Sequence, residues 1–407
     1  MPVFVFSVMQ MSGAIIGAAA IAYLILALRA TWKFRERPER VERGAGALPG
    51  VSVLKPIHGD NPHLYACLAS FCDQDWPTYE VIFGAHTADD PAIAVAKRLQ
   101  AEMPNRDLRI VVDERLAGPN RKAANLANIY AHARYDIIVL ADSDVEVDRN
   151  CLSSMAAPFR DDNVGAVATI YKGLAKGGAP ARFAAHYIND WFVPSVLVDV
   201  SLRGIDFVFG AMSAVRRDAL DAIGGFEHLS QCLAEDFAMG RLVDRRGWKV
   251  VLSPYACDTI CAETTFGEMF RHEVRWQRSE RACRPLDHFM SVVTWSLPLL
   301  LILLLPQPSV LGLSIIAVEI VLRLLLHVLL RQRFRMRDRS SLWLVPVREC
   351  VCFAAWGGGL FGNTIQWGSE TFTIKAFREL MRAADAAPAT SATAATNPAH
   401  ARPARLQ

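Results

Sequence analysis

The sequence predicts an α/β domain with a mostly parallel sheet, flanked on both sides by apolar membrane segments. Three observations carry that expectation. From about residue 50 to residue 287, short β-branched runs alternate with helical patterns, as in layered α/β folds. Long uncharged stretches lie before and after that region. The run Ile137-Ile138-Val139-Leu140-Ala141 reads as a buried strand and ends in Asp142-Ser143-Asp144. Carboxylates at the carboxyl end of such a strand point into the crevice where open α/β sheets bind ligands.

The first element is an apolar stretch from about Met9 to Ala30, uncharged before Arg29 and long enough for one bilayer crossing. A cleaved signal peptide would carry its basic residues before the apolar core. Here Arg29, Lys33, Arg35, Arg37, Arg40 and Arg43 follow it, which places the next domain in the cytoplasm by the positive-inside rule. Residues 1–48 are therefore read as a transmembrane helix with a basic linker.

Residues 49–287 form the predicted catalytic domain. Val51 to Leu54, Glu80 to Ala85, Leu108 to Val112, Ile137 to Ala141 and Val164 to Ile170 read as strands. Helices are expected near Pro62 to Cys72, Pro91 to Met103 and Arg121 to Ala133. Residues 288–382 form a second membrane region. Its apolar segments, about Phe289 to Leu305 and Val310 to Leu330, are joined by Pro306-Gln307-Pro308-Ser309 as a hairpin that returns to Arg331, Arg333, Arg335, Arg337 and Arg339. The last stretch, about Leu342 to Trp367, is interrupted by Arg348, Glu349 and three glycines, which favours a re-entrant or interfacial hairpin over a fourth crossing. Glu319, Arg323 and His327 share one helical face, either as a functional group or as a structural pairing that includes Arg348 and Glu349. Residues 383–407, rich in Ala, Pro, Thr and Ser, read as a disordered tail.

Composition narrows the function classes. Of 407 residues 52% are hydrophobic, above the usual share of a soluble enzyme. The balance of 44 basic to 41 acidic side chains offers no support for a nucleic-acid partner. Nine scattered cysteines without a CxxC pair suggest neither a disulfide framework nor a zinc site, and Cys257 with Cys261 reads as two buried thiols. Asp142 and Asp144 either form a solvated turn or hold a hard divalent cation through oxygen ligands.

The order Ser52-Val53-Leu54-Lys55-Pro56, Asp89-Asp90-Pro91-Ala92-Ile93, Asn120-Arg121-Lys122-Ala123-Ala124-Asn125, Asp142-Ser143-Asp144, Glu235-Asp236 and Arg275-Trp276 resembles the ceramide glucosyltransferase family, glycosyltransferase family 21. The resemblance spans about Val51 to Pro285 and implies a GT-A fold, a nucleotide-diphospho-sugar transferase domain, with flanking transmembrane helices. Phe270-Arg271-His272-Glu273-Val274-Arg275-Trp276 followed by Arg284-Pro285 is most similar to the bacterial branch associated with hopanoid biosynthesis.

The resemblance assigns roles residue by residue. Asp90 is implied to contact the nucleotide, and as Asp before Pro it also starts a helix. Lys55, Lys122 and Asn125 are implied around the uridine and diphosphate, whereas a lysine read alone is also at home on a solvated surface. Asp142 and Asp144 match the metal position, for magnesium or manganese. Asp236 matches the general base, with Glu235 either its structural neighbour or exchanging roles with it. Arg275 matches a pyrophosphate grip, and Trp276 a residue that packs on the acceptor or sits at the membrane boundary. His272 occupies the first position of that motif, where Gln or Arg is expected, so the chain departs from the family pattern there.

On the acceptor side, Gly225 resembles part of an acceptor loop, or simply ends a helix. Trp191, in the stretch Phe183 to Val200, either lies at the bilayer surface or packs in a core. The implied enzyme is a multi-pass protein of the bacterial inner membrane with its catalytic domain in the cytoplasm. It would move N-acetylglucosamine or glucose, with inversion, from a UDP-sugar to a membrane lipid hydroxyl. Bacteriohopanetetrol leads and ceramide is the alternative; an inactive membrane-anchored scaffold is the competing class. No motif specifies the sugar, the acceptor, the choice of magnesium or manganese, or the oligomeric state.

Overall fold

The structure, a computed structural model, describes residues 2–36, 48–337, 342–367 and 370–386. Arg37, Arg40, Arg43 and Arg339 of the basic clusters, and the tail from residue 387, lie outside the described residues. The chain forms two compact units. Among the described residues, one holds 36, 48–171, 205–260 and 379–386; the other holds 2–35, 172–204 and the described part of 261–378. Residues 172–204 and 261–287, within the expected span 49–287, group with the apolar helices.

The first unit is built on an eight-stranded sheet. Its strands in chain order are β1 (Val51–Pro56), β2 (Tyr79–Ala85), β3 (Leu108–Val112), β4 (Ile137–Ala141), β5 (Val145–Glu146), β6 (Val164–Ala175), β7 (Met212–Arg216) and β8 (Lys249–Cys261). Their spatial order is β3-β2-β1-β4-β7-β6-β8-β5. The first four strands are parallel, with Val53 opposite both Val81 and Val139. Parallel strands are covered on both faces, which explains their continuous apolar runs. Helices Leu64–Cys72, Ala92–Glu102 and Arg121–Tyr130 connect them, close to the expected spans. Leu68, Phe71, Ala96 and Leu99 pack with Val53, Val81, Phe83 and Val139 in one core.

The remainder of the sheet is antiparallel: β7 pairs with β4 and β6, and β5 with β8. The expected, mostly parallel sheet is therefore mixed. Cys257 and Cys261 lie on β8 and are buried, as thiols and not as a helical pair.

In the second unit, helices Pro2–Lys33 and Val310–Arg333 are long and apolar enough to cross a membrane. Gly13 and Gly17 of the first helix face side chains at close range: a β-carbon would sit 2.5 Å from Leu304 Cδ2 at Gly13 and 2.3 Å from Ile315 Cγ2 at Gly17. Small residues four apart let apolar helices approach closely. The expected segment Phe289 to Leu305 is not one straight helix, since Pro285–Trp295 and Leu297–Leu304 meet at a 65° bend. Pro298 lacks the N–H that would reach Thr294 O one turn back, and that carbonyl accepts from Arg323 Nη2 at 2.8 Å instead.

The buried ionisable groups of this unit pair with one another. Arg323 lies 3.7 Å from Glu319 and 3.3 Å from Glu349, while Arg348 is bound to Glu273. The four-residue spacing of Glu319 and Arg323 thus reports a structural pairing, but His327 turns to a different partner, Asp190. The last apolar stretch is a helix, Leu344–Leu360, followed by the antiparallel pair Thr364–Trp367 and Glu370–Thr373.

Candidate active site

The site in the sheet-bearing unit is organised around one lysine. Lys122 opens the helix Arg121–Tyr130, whose N-cap is Asn120, with Asn120 Oδ1 accepting from Ala123 N at 3.1 Å. Capping fixes the first turn, and it aims Lys122 Nζ at Asp142 Oδ1 (2.5 Å), Glu235 Oε1 (3.1 Å) and Gly210 O (2.9 Å). Burial alone would make this ammonium lose its proton more readily, but Asp142 and Glu235 outweigh it and hold the charge firmly.

Asn120 is a site residue to which motif reading gave no role of its own. Its Nδ2 donates to Glu235 Oε2 at 2.7 Å and to Cys232 O at 2.9 Å. Glu235 therefore accepts from Asn120 on one oxygen and faces Lys122 with the other, which makes it a positioning group. Its neighbour Asp236 begins the same helix, Glu235–Arg245, and is half-buried. Burial first, and then the charge of Glu235, push the Asp236 carboxyl up to about 6, against the opposing pull of Lys122. A carboxylate so poised accepts a proton near neutral pH better than an ordinary surface aspartate. Gly210 leaves room for it, because a β-carbon there would stand 3.0 Å from Asp236 Oδ2.

Asp142 and Asp144 follow β4 as expected. Asp142 N donates to Ala211 O at 2.9 Å, and Ile260 N donates to Asp144 O at 3.0 Å, so both backbones are pinned by neighbouring segments. Burial raises both carboxyls above the ordinary range, and the adjacent Asp142 charge helps push Asp144 up to about 6. Two hard oxygen donors one residue apart, one of them also facing Lys122, are chemically suited to a divalent cation.

Lys55 is fully buried over the Phe71 ring, 3.8 Å from its centroid, and donates to Asp142 O at 2.8 Å. Burial lowers its pKa to about 8. It braces the backbone at the metal position rather than extending as a solvated lysine. Asp90 accepts from Gly59 N and Ala92 N, each at 2.9 Å, and pairs with His58 Nδ1 at 2.6 Å. Those donors overcome burial and hold its carboxyl below the ordinary range. The helix-start reading of Asp90 is thus satisfied. Asn125 Nδ2 donates to Gly84 O at 2.8 Å, tying its helix to β2. Gly224 and Gly225 both have positive φ, 91° and 67°, which accounts for the glycine pair by backbone geometry.

Four expected site residues belong to the other unit. Arg275, Trp276 and His272 lie on the helix Phe266–Cys283. His272 faces Glu263 at 3.2 Å, and its ring is 4.3 Å from that of Trp276, which stacks on Tyr187 at 5.7 Å. Trp191 is 1% exposed with Arg323 lying 5.6 Å from its ring, so it packs inside the unit and not on a bilayer surface.

A sequence model described as Glycosyl transferase family 21 matches residues 13–379. Ceramide glucosyltransferase 1 of Caenorhabditis elegans is 28% identical over 70% of this chain and 60% of its own length. Ceramide glucosyltransferase 3 of the same organism is 26% identical over 81% of this chain and 73% of its own length. The chain therefore spans less than two thirds of the first of these relatives. Among solved structures, a mannosyltransferase from Pyrobaculum calidifontis in complex with GDP-Man and Mn2+ superposes with a TM-score of 0.51 at 17% identity, over 89% of this chain and 100% of that one. That likeness shows the GT-A-like fold.

Proposed function

The chain belongs to glycosyl transferase family 21, and we propose that it transfers one sugar from a UDP-sugar to a lipid hydroxyl with inversion at the anomeric carbon. The observation that carries this reading is Asp236, a carboxylate raised to about 6 in the same unit as the Asp142 and Asp144 pair. Asp236 takes the proton of the acceptor hydroxyl as it attacks. A positioned base of this kind is worth roughly 10²- to 10⁴-fold in rate. Attack from the face opposite the leaving UDP turns an α-linked donor into a β-linked product. One carboxylate suffices because UDP leaves without being protonated by a second.

Asp142 and Asp144 would hold magnesium or manganese, which supplies charge neutralisation to the departing diphosphate. Lys122 holds Asp142 and Glu235 in place, keeps Asp236 ionisable near neutral pH and adds a positive charge to the donor side. Lys55 and Asn125 support the donor side through Asp142 O and Gly84 O, and Asp90 contributes the nucleotide contact. Arg275, Trp276, His272 and Gly225 enter by motif and position, the first gripping pyrophosphate, whereas Trp191 is packed inside its unit. The basic residues flanking the apolar helices support a multi-pass protein with the catalytic unit in the cytoplasm, and the resemblance of the Phe270-to-Pro285 motif supports a bacterial membrane.

Two acceptors remain. Bacteriohopanetetrol follows from the Phe270-to-Pro285 motif, and N-acetylglucosamine would then be the sugar. Ceramide with glucose is supported by the names of both relatives. Purified protein with manganese, each UDP-sugar and each lipid, read by mass spectrometry, separates them. A single added hexose or N-acetylhexosamine on one lipid is expected. A ladder of oligosaccharides would sink the single-transfer reading, and no binding or hydrolysis of any donor would leave only a scaffold.

A further inference from the structure

Outside the sheet-bearing unit, His186, Asp190 and His327 converge. His186 ends the helix Ala179–Tyr187, and Asp190 sits in the wide helical turn Ile188–Phe192. His327 comes from the apolar helix Val310–Arg333. Each of the three is 2% exposed. Asp190 Oδ2 lies 2.8 Å from His186 Nδ1, and Asp190 Oδ1 lies 2.8 Å from His327 Nδ1. The two imidazoles are parallel, 5.6 Å apart. One donor atom from each residue falls within 4.8 Å of the others. Wide turns of this type, costly in hydrogen-bond geometry, recur at functional sites.

We infer that His186, Asp190 and His327 hold a first-row transition-metal ion, zinc by preference, as a clamp between the turn Ile188–Phe192 and the helix Val310–Arg333. Two imidazoles and a carboxylate form a donor set suited to zinc. Zinc holds imidazole and carboxylate ligands at about 2.0–2.2 Å and takes four ligand atoms. The two 2.8 Å contacts, one to each Asp190 oxygen, would open and the imidazole nitrogens, within 4.8 Å of each other, would close on the ion, the second Asp190 oxygen filling the fourth position.

The surrounding charge points the same way. Arg323, one turn before His327, is flanked by Glu319 and Glu349 and lies over the Trp191 ring beside Asp190. Arg348 is already matched by Glu273. Glu319 and Glu349 are taken up with Arg323, and Asp190 is bound by the two imidazoles out of reach of solvent. A buried carboxylate must be compensated, and a cation held by the three residues does this, the alternative being a proton on an imidazole. The site is distinct from Asp142 and Asp144 in residues, unit and chemistry, since imidazole donors suit zinc, whereas a carboxylate pair would suit the harder magnesium or manganese ions.

Because such a site fills as the chain folds, the test uses full-length protein from cells grown with zinc, washed with chelator in detergent and assayed for metal. About one zinc per chain is expected, retained in Asp144→Asn and lost to background in His327→Gln and Asp190→Asn. Glutamine still donates a hydrogen bond to Asp190, so His327→Gln separates ligation from hydrogen bonding. Protein from cobalt-supplemented cells gives a second readout that needs no clamp variant. Strong visible absorption, unchanged in Asp144→Asn, is expected of cobalt held by imidazoles. Folded wild-type protein without zinc and without that absorption overturns the inference and leaves a histidine pair hydrogen-bonded to Asp190. Zinc that persists in His327→Gln overturns it as well.

Discussion

Lys122 Nζ lies 2.5 Å from Asp142 Oδ1, so the residue that opens one helix neutralises a carboxylate at the end of the neighbouring strand. The same ammonium reaches Glu235 at 3.1 Å and lowers the pKa of Asp236. Donor-side and base-side carboxylates therefore share one cation. Removing it is expected to do more than weaken donor binding. In Lys122→Met, Asp236 loses the pull that opposes burial and Glu235, and its pKa rises further. The acid limb of the pH–rate profile should move upward while kcat falls roughly 10²-fold or more. A variant that only raises KM, with an unshifted limb, would separate Lys122 from Asp236.

The base itself predicts the position of that limb. Its carboxyl titrates at about 6 and works only when ionised, so activity should be full above that pH and fall as pH drops through it. Asp236→Asn removes the limb together with about 10²- to 10⁴-fold in transfer rate. UDP binding, followed by calorimetry with manganese present, should be largely retained. Loss of both would move Asp236 to the donor side.

Chelation tests the opposite end of the site. Transfer should stop in excess EDTA and return with manganese or magnesium. Asp144→Asn should need higher metal concentrations for half-maximal rate, because one of two oxygen ligands is gone. Unchanged activity in metal-free buffer would mean that Lys122 and Lys55 alone neutralise the leaving diphosphate.

Gly210 offers a steric probe. A β-carbon there would stand 3.0 Å from Asp236 Oδ2 and 3.6 Å from Lys122 Nζ. Gly210→Ala should push these groups apart and lower kcat about tenfold or more, with a small change in thermal midpoint, since misplacement by an ångström costs heavily in rate. Wild-type kcat in that variant would show that Asp236 relaxes freely.

Much of this site was legible because strand and acidic turn are adjacent in sequence. Ile137 to Ala141 is an unbroken apolar run, and Asp142 and Asp144 follow it directly. Asn120 was legible only as the first residue of a motif, since its partner Glu235 comes 115 residues later. In the antiparallel half β6 was legible from Val164 onward, but β7 and β8 were missed for a related reason. β7 is five residues long, and β8 carries Lys249, Pro254 and Asp258 within its run, so neither shows a clean apolar pattern. Trp191 could be read from its own segment either as an interfacial aromatic or as a core residue. What buries it is Arg323, far along the chain.

The first apolar helix gives the last prediction. Its Gly17 meets Ile315 so closely that a β-carbon would stand 2.3 Å from Cγ2, whereas Ile15, two residues earlier, is 64% exposed. Between apolar helices, packing and not water exclusion drives association. Close approach at a glycine is therefore the contribution that a larger side chain abolishes. Gly17→Leu must displace Ile315 or separate the helices, at a cost of about 1–3 kcal/mol for overpacking. Ile15→Leu changes a side chain that meets little of the protein and should leave stability unaltered. Thermal unfolding of both variants in the same detergent checks the contrast. Equal midpoints would mean that the first helix is anchored elsewhere, for example through Tyr23 and its 3.0 Å hydrogen bond to Ser195.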